Sequence, residues 1–253
     1  MATDAHQPVT SAYRLDGPMP DPAQGVFETT LVVDGKALEL DAHFARLEAS
    51  LGALYGEPLP PGGRQLVADA AAGIELGRVR LTVLPGGGAS AAAVPVDEAL
   101  VFPARDRAVE LAPVAVPGGI GPHKWADRRL LERAEADVGP AVPLVVESDG
   151  AVLEGSRGSL FLVDGGTLVT PPADGRLLPG ITRAQTIEAA RGLGIEVREQ
   201  RVGVDGLAGA DEVFLTGAVR GVEPVRRCAG VAEWDSGEVT ARVAAELRRL
   251  WLG

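Results

Sequence analysis

HKWADRRLLERAEADV, residues 123–138, contains Lys124, the residue on which the reading of this chain turns. The chain has 24 lysines and arginines, yet only Lys36 and Lys124 are lysines. Lys36 follows Asp34-Gly35 in a turn, where any polar side chain serves. Arginine readily replaces a surface lysine, but its guanidinium stays protonated and is a poor nucleophile. A lysine amine becomes a nucleophile once its pKa is lowered. A lysine kept in so arginine-rich a chain therefore points to covalent amine chemistry, set against the plainer reading of a solvated lysine on a helix.

Outward from Lys124, PGGIGPH (117–123) breaks any regular element and reads as a connector. Before it, GVFETTLVVDGKALEL reads as a hairpin around Asp34-Gly35. Asp41 is placed to cap a helix with Phe44, Leu47, Leu51 and Leu54 on one face and Gly56 as its stop. A second helix is expected over 64–72, then strands in RVRLTVLP, EALVFPA and VELAPVAV. After the connector the pattern predicts a helix over 124–138 and strand pairs in VPLVVESDGAVLEGS and SLFLVDGGTLVTPP. A helix ITRAQTIEAARGLG follows, then strands IEVREQRV and EVFLTGAV and an amphipathic final helix. The fold class is α/β (α+β). The expected organisation is a smaller N-terminal domain over 1–115, a connector over 116–123 and a larger domain over 124–253 that carries the lysine.

Composition narrows the function. With 46% hydrophobic and 23% charged residues the chain reads as a soluble globular protein, and with 4% aromatics its core rests on Leu, Val and Ala. A net charge of −11 with no basic block argues against nucleic acid and against an anionic membrane surface. The single Cys228 makes no internal disulfide, and the scattered His6, His43 and His123 suggest no metal site. MATDAHQPVT lacks the basic and apolar regions of a signal peptide, and no apolar run nears the ~20 residues of a membrane span. The expected location is the cytoplasm.

Schiff-base chemistry with pyridoxal phosphate also needs a carboxylate for the pyridine nitrogen and a helix start with an arginine for the phosphate. Glu154 in AVLEGSRGSLFLV, LLPGITRAQ, FLTGAVRG and Arg46 near His43 can supply these. Singly, each has a plainer reading: a strand-end glutamate, a threonine N-cap, a turn and a surface arginine.

Together and in order, GVFETTLVVDG, HFARL, HKWADR, LEGSRGSLF, LPGITR and DEVFLTGAVRGVEPV resemble the fold-type IV pyridoxal-phosphate enzymes, over nearly the whole chain. These comprise branched-chain and D-amino-acid aminotransferases and 4-amino-4-deoxychorismate lyases. The resemblance implies an N-terminal α/β sandwich, a C-terminal pseudo-barrel and a homodimer with sites near the subunit interface. It implies that Lys124 holds the cofactor as a Schiff base and that Glu154 meets the pyridine nitrogen. Arg46, Ile181, Thr182, Thr216, Gly217 and Ala218 would bind the phosphate.

Within the family, Thr29 and Arg128 resemble the lyases, whose product is p-aminobenzoate for folate biosynthesis. Thr29 would stand near the reacting carbon and Arg128 near the substrate. The runner-up is an aminotransferase using the same lysine. A third reading is a non-catalytic cofactor-binding scaffold. Three departures bear on fine contacts. Gln24 replaces an acid of the family pattern, Ser159 replaces an asparagine, and Gly217-Ala218 replace a more polar pair.

Overall fold

The computed structural model describes residues 13–15, 17–235 and 237–253; MATDAHQPVT and its His6 lie outside them. The first long strand, β2 (Val26–Val33), follows the two-residue strand β1 (Tyr13–Arg14) and turns into β3 (Lys36–Ala37). Asp34 (φ 48°) and Gly35 (φ 74°) both adopt positive φ, as a tight primed hairpin turn requires. Val33 pairs with Lys36 and Val32 with Ala37.

Helix α1 (Leu40–Tyr55) buries His43, Phe44, Leu47, Ser50 and Leu51. Asp41 is not its cap. The N-cap is Glu39 in a left-handed conformation, and Asp41 lies inside the first turn, where a carboxylate suits the helix dipole. Gly56 ends the helix as expected, with φ 67°. Helix α2 (Gly63–Ala71) packs beside it, then β4 (Leu76–Val83) pairs antiparallel with β2 along their whole length. The fourth strand of this sheet is β5 (Ala89–Pro95), ordered β3-β2-β4-β5. Its alanine-rich sequence carries no strand signal of its own and takes its form from pairing with β4. EALVFPA is not a strand. Asp97 accepts a hydrogen bond from the Ala99 amide and caps a 3-10 turn there, and Phe102 has φ 49°.

Strand β1 already belongs to the larger sheet, pairing parallel with β6 (Val109–Ala115), so after the small sheet the chain returns to the larger one between Pro95 and Val109, before the 116–123 connector. Helix α3 spans Arg129–Val138, followed by β7 (Val142–Val146), β8 (Ala151–Gly155), β9 (Gly158–Asp164) and β10 (Thr167–Thr170). Then come α4 (Ile181–Gly192), β11 (Val197–Glu199), β12 (Val202–Gly203) and α5 (Val204–Ala208). The chain ends in β13 (Glu212–Gly217), β14 (Gly221–Cys228), β15 (Ala232–Glu233) and α6 (Glu238–Leu252). The order β9-β13-β14-β6-β7-β8 closes on itself because β8 also pairs with β9. The result is a barrel filled by Leu111, Leu144, Leu160, Leu162, Val213, Leu215 and Val225. Outside it, α4 and α6 cover the stacked rings of Phe161 and Phe214, whose centroids are 5.2 Å apart.

The helix expected over 124–138 starts only at Arg129. Residues 124–126 instead run alongside β2. Phe27 N–H donates to the Lys124 carbonyl (2.8 Å) and Ala126 N–H to the Gly25 carbonyl (3.0 Å). Long-range pairing overrides local helix propensity here. Further along β2, Leu31 N–H donates to the Ala218 carbonyl at 3.2 Å. The same strand thus touches two separate segments of the larger part.

Candidate active site

A cavity of about 270 Å³ lies between β2–β4 and the barrel. Its lining includes Lys124, Thr29, Arg46, Arg128, Glu154, Ile181, Thr182, Thr216, Gly217 and Ala218, so the ten residues that the resemblance assigns to cofactor or substrate line one space. Ser159 also lines it, whereas Gln24 is exposed in a 3-10 turn outside it.

Strand register places the floor. Ser159 on β9 pairs with Glu154 on β8 and with Thr216 on β13, making one row across three strands. Directly opposed residues on antiparallel strands point to the same face. Glu154 is buried and accepts a hydrogen bond from the Leu178 amide at 3.2 Å. Burial raises its pKa to about 7, against the lowering effects of that bond and of Lys124 and Arg46. It is a carboxyl group in want of a closer cation.

Lys124 is drawn down to about 8, first by burial and then by Arg46 and Arg128, with Glu28 and Glu154 opposing. Its Nζ stands 5.1 Å from the centroid of the Phe27 ring. An amine so adjusted is partly free base near neutral pH, the form that attacks carbonyls.

Arg46 is anchored twice. Glu28 accepts from Nε at 2.7 Å and from Nη2 at 2.6 Å, and the Pro179 carbonyl accepts from Nη1 at 2.9 Å. His43 Nδ1 lies 2.8 Å from Glu28 Oε2. Burial pushes Glu28 upward, but the hydrogen bonds from His43 and Arg46 prevail and hold it at about 2. Neither Glu28 nor the role of His43 was anticipated from sequence. The signal was the alternation of β2: Glu28 shares the core-facing side with Val26, Thr30 and Val32, where an acid must have a partner.

Pro179 leads into Gly180, the N-cap of α4, which no side chain caps. The first amides of α4, at Ile181 and Thr182, have no intrahelical acceptor, and both residues line the cavity. Two buried hydroxyls of residues lining this cavity, Thr29 Oγ1 and Thr216 Oγ1, have no hydrogen-bond partner among the described residues. Arg128, the N-cap residue of α3, donates to Glu135 at 3.2 Å.

Comparisons with known proteins bear on the family and the fold. The branched-chain-amino-acid aminotransferase of Salmonella typhimurium is 41% identical over 112 residues, which cover 44% of this chain and 36% of that protein. The chain thus spans about a third of the length of such curated relatives. The crystal structure of 4-amino-4-deoxychorismate lyase from Pseudomonas aeruginosa superposes with a TM-score of 0.75 at 29% identity, covering 90% of this chain and 91% of that one. A hypothetical aminotransferase from Mycobacterium tuberculosis, in its PLP-bound form, gives 0.76 at 25% identity, covering 91% and 89%. Residues 25–228 match the family described as Amino-transferase class IV, and with a closed barrel, a buried lysine and an uncapped helix start around one cavity, the chain belongs to that pyridoxal-phosphate-dependent family.

Proposed function

We propose that this chain is a 4-amino-4-deoxychorismate lyase, which splits its substrate into p-aminobenzoate and pyruvate. The residues around the cavity fit pyridoxal phosphate. The orphaned Thr216 hydroxyl, the free amides of Ile181 and Thr182, the backbone at Gly217 and Ala218 and the anchored Arg46 would hold the phosphate. Glu154 would hold the ring nitrogen, whose positive charge supplies the cation its burial calls for. When bound, the cofactor supplies an aldehyde that takes up amines and a ring that withdraws electrons from the carbon bearing the nitrogen.

The chain's own residues do the rest. With the cofactor bound, Lys124 Nζ would hold its aldehyde carbon and, once the substrate amine took that place, would be free to accept the proton from carbon 4. The carbon–oxygen bond at carbon 3 then breaks and enolpyruvate leaves as the ring becomes aromatic. Thr29 Oγ1 would pass a proton toward the departing methylene carbon, which completes pyruvate.

Thr29 is the observation that carries this reading. An aminotransferase moves protons through its lysine, whereas a departing enolpyruvate must also gain one. A buried hydroxyl with no other partner meets that need. The competing reading, an aminotransferase, draws on the 41% identity to a branched-chain enzyme over 112 residues. A homodimer belongs to either reading.

The test is to supply the cofactor-loaded protein with 4-amino-4-deoxychorismate and no keto acid. Equal amounts of pyruvate and p-aminobenzoate, abolished by Lys124→Ala, are expected. Amino exchange that requires an added keto acid, with no pyruvate release, would establish the aminotransferase instead.

A further inference from the structure

Glu223 is a buried carboxylate on which the proposed reaction makes no call. It is 3% exposed and lines the cavity from β14. It pairs with Leu215 on β13, so it shares the inward side with a residue that fills the barrel. An apolar side chain would occupy that place without the cost of burying a charge. Two arginines from two different turns meet the carboxylate there. Its Oε2 accepts from Arg157 Nε at 3.2 Å and its Oε1 from Arg157 Nη2 at 2.7 Å, a two-pronged pairing. Arg220 Nη1 makes a longer contact of 3.4 Å to the same Oε1. Burial lowers the pKa of Arg220, Glu223 raises it and Arg157 lowers it again, as expected of one carboxylate between two cations.

The turns on which these arginines stand carry the site. Ser156 and Arg157 join β8, which bears Glu154, to β9, which bears Ser159. Residues 218–220 join β13, which bears Thr216, to β14. Where the two regions meet, glycine stands on both sides: Gly158 lies against the Thr216 backbone, and a Cβ on Gly217 would come within 3.1 Å of the Arg157 carbonyl oxygen. Neither glycine offers a side chain to fasten the turns. On its other flank the first turn is tied to α3, because Ser156 Oγ donates at 3.0 Å to the Glu135 oxygen that also accepts from Arg128.

We propose that Glu223 is a positioning residue: through Arg157 and Arg220 it clamps the β8–β9 turn to the β13–β14 turn and so holds Glu154, Ser159 and Thr216 in the one row that meets the cofactor. Without the carboxylate, two guanidiniums would repel each other across that junction. The clamp rests on the cofactor placement proposed above, but not on which reaction follows.

Two readouts of the cofactor-loaded protein test it with no substrate present: the rate at which pyridoxal phosphate is lost on dialysis, and the visible circular dichroism of the cofactor still bound. A planar cofactor gains dichroism only from its surroundings, so the band per bound cofactor reports how firmly the row orients the ring. E223Q keeps the shape and removes the charge. It is expected to lose cofactor about tenfold faster, the factor for one charge-assisted hydrogen bond, and to show a weaker band. R157K gives up the fork but leaves Glu223 a cation, so it keeps the test open should E223Q fail to fold; it should lose cofactor roughly threefold faster, also with a weaker band. The double variant E223Q/R157Q should lose cofactor no faster than E223Q alone, because both substitutions open one clamp. Unchanged rate and band in R157K, or effects of E223Q and R157Q that simply add, would overturn the clamp. So would a lower melting temperature of E223Q apoprotein with the band intact, which would make Glu223 a packing residue. Thr216→Val tells which reading falls. Quicker loss there with none in the clamp variants keeps the cofactor placement and removes the clamp, whereas no quickening in any variant removes both. A protein that passes these tests but releases no pyruvate keeps the clamp and loses only the lyase reading.

Discussion

Lys124 Nζ and Arg80 Cζ share one aromatic ring, lying 5.1 Å and 4.2 Å from the centroid of Phe27. The amine at the centre of the site and a cation at its mouth are thus coupled through a side chain that carries no charge.

A ring face stabilises the charged form of a nearby amine by about 0.5–2 kcal/mol, depending on desolvation. Phe27→Leu keeps the apolar volume and removes the face, so Lys124 should titrate below its value of about 8, by roughly 0.4–1.5 pH units. The rate at which apoprotein captures pyridoxal phosphate, followed by absorbance, should rise with pH to a plateau above about 8, and earlier in the variant. A later rise in the variant would contradict the coupling.

Glu154 has a folded pKa raised to about 7 from 4.5. A raised carboxyl pKa favours the fold fully below 4.5, and that contribution is lost as pH rises through 7. Apoprotein carrying Glu154→Gln should therefore melt higher than the unmodified apoprotein at pH 8, by up to roughly 3 kcal/mol, and converge with it near pH 4. With cofactor bound the order should reverse at pH 8, because the variant has no charge to offer the ring nitrogen. Calorimetric melts at the two pH values, with and without cofactor, check both signs.

Glu28 shows the opposite linkage. Its folded pKa of about 2 means that its contribution is present above 4.5 and lost as pH falls toward 2. Glu28→Gln leaves the Arg46 guanidinium without its buried counter-charge. It should cost on the order of 3–5 kcal/mol at neutral pH, the usual penalty for removing one partner of a buried pair. The acid-induced loss between pH 4.5 and 2 should be shallower in the variant. Cofactor dissociation should also quicken, because Arg46 loses the two bonds that orient it.

Gly158 is required for a close approach. A Cβ there would lie 2.7 Å from the Thr216 carbonyl oxygen on the neighbouring strand, nearer than packed atoms tolerate. Gly158→Ala should push Thr216 out of its row with Ser159 and weaken cofactor binding by about tenfold, equivalent to ~1.4 kcal/mol. Equilibrium dialysis of pyridoxal phosphate measures it. An unchanged affinity would mean that the Thr216 hydroxyl takes no part in holding the phosphate.

The residues that line the cavity were easier to read in the sequence than their supports. Lys124, Glu154 and Thr216 were visible because each is a reactive or polar group in an otherwise apolar or glycine-rich setting. The Asp34-Gly35 hairpin was visible because its turn chemistry is local. The start of α3 was misplaced because Lys124 is claimed by a strand almost a hundred residues earlier, and no local signal reports such pairing. Strand β5 escaped because alanine favours no strand and only its pairing with β4 defines it. Arg78 and Arg80 lay in plain view in GRVRL, alternating with apolar residues. That they line the cavity appears only once β4 is set beside Thr29.

The two hydrogen bonds from β2, Phe27 to the Lys124 carbonyl and Leu31 to the Ala218 carbonyl, make the strand a caliper. Its jaws are four residues apart, roughly 13 Å at the rise of an extended chain. That length sets the distance between the segment bearing the amine and the turn beside Thr216, with Thr29 midway and on the same side as both jaws. A single residue inserted between Phe27 and Leu31 would open the caliper by about 3 Å and turn Thr29 or one jaw to the other face. The small sheet therefore sets the gauge of a site whose floor belongs to the barrel.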